Sequence, residues 1–574
     1  MRFPSGCGRR VIAQTAPAGA WSTIPILCLL MVAAPPGVRA EAPGEVPVEV
    51  PGDESAGACA LSDAELEALG ARIGHIDINA LDIFDLDDPE EDKAVFRAMN
   101  RLHVRTRDPV IRRQLLFDTG DRFLRQRLDE SERILRNTDY LYDAQIVITA
   151  CDAATVDIKV TTQDIWTLKP GIDLSRSGGE SRVGVDLQDD NFLGRGGSAR
   201  FRRKNDEERQ TTEVGYADRN VAGRWIALNT TIADNSDGHE FSLALSRPFY
   251  SLDTRWATGG AVQDAKRNDR VYALGDEIGR FRHDIEHFDI FGGGSRGLRD
   301  GWVQRWLGGV VYDDRAFDNW RDTLEPELVP ENRRLVYPYV EYQLLEDRFL
   351  RALNLDQIYR TEDVALGAQL RFRLGWLSTP LGADRGGAIF EGAASRGYGD
   401  PARMLWDFSA HTSGRVESGE LANTIVGGAA RWYLRQSDRH LLFAAIRGDI
   451  GEKLDLDNPL ELGGDNGLRG YPLRYQRGDS RAQFTIEQRY FTDIYLWRLL
   501  RVGGAVFFDA GRVWGDNPYG GENLGLLTDV GFGLRLGSTR SSMGRMLHID
   551  LAFPLNGDDS IDSVQFLVEG KRSF

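Results

Sequence analysis

An arginine held between small and aromatic neighbours, Leu468-Arg469-Gly470-Tyr471, stands in a roughly thirty-residue stretch between two strand-like segments. A guanidinium is always charged, and its planar fork bonds carboxylates bidentately. Two acids are placed to receive it. Around Gly503–Gly511, Val502, Val506 and Phe508 share one strand face, while Ala505, Phe507 and Asp509 share the other. Glu487 likewise lies opposite the apolar Phe484 and Ile486. Gly467 and Gly470 would let the loop tip turn tightly, and Tyr471 could pack against a wall. The spacing alone leaves open that Arg469 sits on an ordinary solvated loop and that both acids merely line wet space.

Other constellations carry less chemistry. Gly293-Gly294-Ser295-Arg296-Gly297 matches the G-x-S-x-G pattern of hydrolases, but that elbow needs a strand-to-helix turn with Asp and His partners. Here it lies in a glycine run between β-like segments, where a barrel turn is expected. The eight histidines are scattered without metal-ligand spacing. No enzymatic activity, metal or cofactor is expected. A formal net charge of −17 argues against a nucleic-acid partner, which needs a basic face.

The elements that must hold Arg469 and its acids are strands. From Trp166 onward the chain alternates: Trp166, Leu168, Pro170, Ile172 and Leu174 against Thr167, Lys169, Gly171, Asp173 and Ser175. Val183, Val185 and Leu187 continue the pattern, as do Trp432 with Leu434 and Phe484 with Ile486. One apolar and one polar face, about ten residues long, is the signature of a transmembrane barrel with a wet interior. A soluble β-sandwich alternates too, and parity cannot separate the two. The terminus bears on the choice: Val564, Phe566 and Val568 alternate with Gln565, Leu567 and Glu569, and the chain ends at Phe574. An aromatic closing a final strand resembles the signal by which outer-membrane barrels are recognised. At about 25 residues per strand and loop, residues 166–574 would form about sixteen strands.

Residues 1–40 read as a cleaved export signal: Arg9 and Arg10, an apolar run from Ile24 to Ala34, then Val38-Arg39-Ala40. That run is too short to span a bilayer. Residues 41–71 read as a flexible linker rich in Pro, Glu and Gly near its start. Cys59 and Cys151 are the cysteines beyond residue 40, and an exported compartment permits their disulfide. Spacing leaves their pairing open.

Residues 72–165 form a small α+β unit. Ile73–Ile78 alternates as a half-buried strand. Asp108 caps a helix that Pro109 opens, and a second helix covers about 128–137. Strands follow at 144–149 and 155–161, and the polar insertion between Phe84 and Thr106 could add a helix over 93–101. This order resembles a POTRA domain, with Tyr140-Leu141-Tyr142-Asp143-Ala144 at its helix-to-strand junction. A generic α+β domain reads the same way.

Leu468-Arg469-Gly470-Tyr471 followed by Phe507-Phe508-Asp509-Ala510-Gly511 resembles the paired signature of the BamA/TamA superfamily of bacterial surface antigens. Asn191-Phe192-Leu193-Gly194-Arg195-Gly196 and Ser246-Arg247-Pro248-Phe249-Tyr250 resemble its early barrel segments. The resemblance implies periplasmic POTRA domains, an outer-membrane barrel, and an arginine loop folded into the lumen. Asp509 and Glu487 match the acids that receive the arginine in that family. It implies assembly or translocation of proteins by weak pairing of first and last strands. The partners would be outer-membrane lipid, client outer-membrane or secreted polypeptides, and periplasmic chaperones or accessory proteins. One POTRA-like unit departs from the several that family members carry, and Leu468 stands where Val is commoner. A pore or lipid-handling transporter without a protein client is the alternative.

Overall fold

In the computed structural model the chain is described over residues 59–574, except 178–179, 207, 465, 542–545, 560 and 572–574. The export signal, most of the linker and Phe574 therefore lie outside the described residues.

The N-terminal unit starts earlier than residue 72. Helix α1 (Asp63–Leu69) is capped by Ser62 and Glu65 bonding reciprocally, and its Leu66 is buried in the unit's core. Cys59 is joined to Cys151, with Cα atoms 5.3 Å apart. These contacts make residues 59–71 part of the fold, not of a linker. Then come β1 (Arg72–Leu81), α2 (Ala94–Leu102), α3 (Asp108–Arg112), α4 (Arg125–Arg136), β2 (Leu141–Cys151) and β3 (Thr155–Asp164). The sheet order is β1-β3-β2, with β1 parallel and β2 antiparallel to the central β3. Leu128 and Leu135 of α4 join Val156, Ile158 and Val160 of β3 in one apolar core. The cap of α3 is Arg107, not Asp108; Asp108 and Pro109 occupy the first turn, where an acid and a residue without N–H both fit.

The rest closes into an antiparallel barrel from Leu168–Ser177 to Gln565–Lys571, and among the described residues it has twenty strands, not about sixteen. The reason is local. Leu274-Gly275, Asp300-Gly301 and Ser418-Gly419 are two-residue hairpin loops in which both residues have positive φ. That geometry matches strand twist, and with the six strands between Leu168 and Arg247 only eight to ten residues long, the chain fits more strands than the allowance assumed. Trp166 precedes the first strand and packs with Ile83 and Phe84 of the N-terminal unit instead of extending the wall. Gly293–Gly297 lies within the strand Asp276–Arg299, not in a turn; Ser295 Oγ donates to the Gln304 carbonyl at 2.9 Å.

Burial is inverted relative to a soluble sandwich. In the strand Leu527–Ser538, Val530, Phe532 and Leu534 are exposed while Asp529 and Arg535 are fully buried. Val185, Ile232, Trp306 and Ile446 are exposed elsewhere on the wall, and Arg305, Arg489 and Asp550 are buried inside. Apolar side chains outside a closed ladder and charges within it define a transmembrane β-barrel. The N-terminal unit abuts the turns at one end, here the foot: Arg219 bonds Asp139 at 3.0 Å, and Leu252 N–H donates to Glu130 at 2.8 Å.

A second element enters at the foot. Between the barrel strands Arg333–Glu346 and Gln369–Leu377, a hairpin of Phe349–Leu353 and Thr361–Ala365 leaves the wall. Its Leu355, Ile358 and Leu366 pack against the inward residues Leu405, Tyr433, Leu441 and Phe491.

Candidate functional site

The long loop after the strand His440–Glu452 folds back into the barrel from the end opposite the foot. Leu460–Leu462 pairs with Gln476–Gly478 to make its neck. Beyond the neck, Leu468, Tyr471 and Tyr475 pack with Leu462, Val513 and Leu527 in an apolar cluster that seats the tip. Two glycines do different work. Gly467 has φ 127°, a left-handed conformation side chains avoid. Gly470 serves close approach: a Cβ there would lie 2.6 Å from Asp529 Cβ. The Tyr471 hydroxyl accepts from Thr528 N–H at 3.0 Å and lies 2.8 Å from the Asn556 side-chain oxygen.

That seating presents Arg469 to both acids. Its Nε and Nη2 donate to Asp509 at 2.7 and 2.8 Å, a bidentate fork, and Nη1 donates to Glu487 at 2.9 Å. The guanidinium carbon lies 3.3 Å from the Phe507 ring centroid, so the cation also stacks on an aromatic face. Register explains why these three meet. Glu487 is opposite Phe507, and Thr485 is opposite Asp509, on adjacent strands Ser480–Leu496 and Leu500–Trp514. The two acids are thus diagonal neighbours on one inward face. Thr485 Oγ1 donates to Asp509 at 2.8 Å, completing its shell.

The site extends beyond what spacing indicated. Asp529 is directly opposite Asp509 on the next strand, and accepts the Gly470 N–H at 3.1 Å. Glu487 also receives Arg489 Nε at 3.0 Å, and Arg535, paired with Asp550, lies 3.9 Å away. Arg489 Nη1 reaches the foot hairpin, donating to the Leu355 carbonyl at 2.8 Å and to Asp356 at 3.0 Å. The hairpin is tied in turn to the N-terminal unit: Arg136 donates to Asp363 at 2.6 Å, Asp143 receives Thr361 Oγ1 at 3.0 Å, and Tyr142 bonds the Tyr359 carbonyl. A continuous polar path therefore joins Arg469 to α4 and β2. Alternation within Leu527–Ser538 could have found Asp529 and Arg535, because both share the face opposite Val530 and Phe532. The hairpin leaves no such signal, since parity does not say whether a short strand joins the wall or enters the lumen.

The last strand presents Phe566 outward and buries Leu567. Among the described residues it meets the first strand through one register pair, Val568 with Arg176. It meets its other neighbour through seven residues, and the first strand meets its own neighbour through ten. The ring is closed, with a thin seam.

These features define a transmembrane barrel whose lumen holds an arginine-tipped loop and a foot hairpin. No protein-family model and no curated protein matches the sequence. Among solved structures, the chain is similar to CdiB from Escherichia coli, with 14% identity and a TM-score of 0.44, over 86% of this chain and 75% of that one. It is similar to CdiB from Acinetobacter baumannii, with 12% identity, a TM-score of 0.42 and coverage of 87% and 73%. BamA from Haemophilus ducreyi lacking POTRA domains 1–3 matches with 13% identity and a TM-score of 0.37, over 86% and 84%. Likeness at this level assigns neither family nor activity.

Proposed function

We propose that this chain is an outer-membrane factor that assembles or translocates polypeptides. The observation that carries the reading is the seam. A strand that, among the described residues, shares one register pair with the first strand leaves most of the N–H and C=O groups on that edge available to a client strand, while its other edge stays paired. The Arg469 site braces the wall beside that seam, and the βααββ order of the N-terminal unit supports a POTRA-like periplasmic role. The unit would receive clients, with or without periplasmic chaperones, and pass them to the exposed edge.

The test is site-specific photocrosslinking in cells at Val568, with Ile232, five strands round the ring, as control. Client polypeptides are expected on Val568 and not on Ile232. Equal or absent polypeptide labelling at both positions, with an unchanged envelope proteome on depletion, would sink the reading. The alternative of an open pore is opposed by the hairpin and loop that occupy the lumen. Planar-bilayer recordings are accordingly expected to show no large steady conductance.

A further inference from the structure

Residues 82–105 are an insertion between β1 and α3, and they run beneath the foot of the seam. Their inner side is fully engaged. Phe96 of α2 stacks on Phe84 with ring centroids 4.3 Å apart, and both cluster with Ile83, Met99 and Leu499. Glu91 pairs with Arg540, and Asp88 and Glu90 pair with Arg498. Arg498 and Leu499 lie in the turn after the strand Ser480–Leu496, and Arg540 lies in the turn after Leu527–Ser538. The insertion also holds the first strand's approach, through His103 on Asp164 at 2.9 Å.

The outer side of α2 has no such partner among the described residues, and Val95 and Leu102 make it apolar. Val95 and Leu102 are 58% and 72% exposed, one above the other along the helix, and Val104 just beyond is 50% exposed. A water-facing side of a nine-residue helix would place polar groups there. What covers it follows from its two ends. Val104 lies against the turn at 190–197, where a Cβ on Gly194 would be 3.3 Å from Val104 Cγ1, and Phe192 and Leu193 of that turn are exposed. At the other end, Leu499 adjoins Trp497 and Ile494, both exposed at the foot of the wall. Val104 thus adjoins the exposed turn residues Phe192 and Leu193, and the packed side of α2 leads through Leu499 to Ile494 and Trp497 on the barrel's outer face. Arg101, in the last turn, stands beside the exposed face of α2 where a headgroup phosphate would lie.

We infer that α2 and Val104 seat in the interfacial layer of the periplasmic leaflet, binding phospholipid directly beneath the seam. The inference rests on the transmembrane reading of the barrel. It is tested with the full chain in vesicles of phosphatidylethanolamine and phosphatidylglycerol, carrying the photocrosslinker p-benzoylphenylalanine in place of Leu102, Val214 or Leu69. Val214 is exposed on the barrel wall, and Leu69 is exposed on α1. Mass spectrometry is expected to find phospholipid adducts at Leu102 and Val214, at least tenfold above Leu69. Adducts at Val214 with none at Leu102, polypeptide adducts at Leu102, or equal lipid labelling at Leu102 and Leu69 would each overturn the seat while leaving the barrel reading intact. No adduct at Val214 would instead remove the membrane reading on which it stands.

Discussion

Among the described residues Arg469 is the cation that forks onto Asp509, and removing it leaves Asp509 buried without its fork and Glu487 with Arg489 in its place. Breaking a buried pair from one side costs about 3–5 kcal/mol, mostly the penalty of the charge left behind. Arg469→Ala is therefore expected to lower the barrel's unfolding midpoint and client levels in the envelope, while heat-modified gel mobility still reports a closed barrel. Arg469→Lys keeps the charge but loses the fork and the stacking on Phe507, so it should rescue stability only in part. Asp529 answers differently from Asp509. Asp529→Asn keeps an acceptor for Gly470 N–H and removes a like charge directly opposite, so stability should hold or rise by about 0.2–1 kcal/mol. Asp509→Asn should lower it, and thermal unfolding of the two variants side by side decides. Strand parity showed which side of the wall Asp509 faces, but its pairing with Arg469 was legible only through the resemblance of the two motifs, because spacing alone left Arg469 free to sit on a solvated loop. Asp529 was legible by the same rule but needed its strand's register, which no spacing supplies.

At the scale of elements, the foot hairpin couples the N-terminal unit to the lumen and carries its own titratable group. Burial, and then the charge of Asp356, pushes Glu362 up to about 8, against hydrogen bonds from the N–H groups of Leu355, Asp356 and Gln357. A carboxyl raised in the folded state contributes full docking stability below its ordinary range and loses it as pH rises toward and through 8. Hydrogen exchange across residues 349–365 should therefore show weaker protection at pH 9 than at pH 6 after correction for intrinsic rates. Glu362→Gln should flatten that difference; an unaltered slope would mean the group does not control docking. The hairpin was hidden in the sequence because its five-residue strands alternate like any barrel strand. The helix of the insertion was visible, and the structure places it one residue later, at Ala94–Leu102.

For the whole molecule, alternating apolar and polar faces showed strands in the sequence, and the export signal with the aromatic final strand pointed to a barrel, whereas the strand count was not readable. The count follows from how short the strands between Leu168 and Arg247 are, and alternation does not mark where each one ends. The N-terminal unit has its own closure in the Cys59–Cys151 bond, spanning 92 residues of chain. Cross-linking a loop of that size removes about 4–5 kcal/mol of unfolded-state entropy in the chain model. Cys59→Ser with Cys151→Ser should accordingly make the unit protease-sensitive under conditions where the barrel keeps its heat-modified mobility.

The ion pairs beneath the seam also bear on how the chain is made. Arg498 meets Glu90 across a separation of 408 residues, and Arg540 meets Glu91 across 449. Contacts that distant are slow to form, because the entropy of closing the intervening loop is lost before any contact repays it. The insertion lies early in the chain, and its ion pairs to the turns near Arg498 and Arg540 wait for those turns to form. Until then the protein is itself an unfinished strand edge at the membrane, in the same condition as the clients it is proposed to serve.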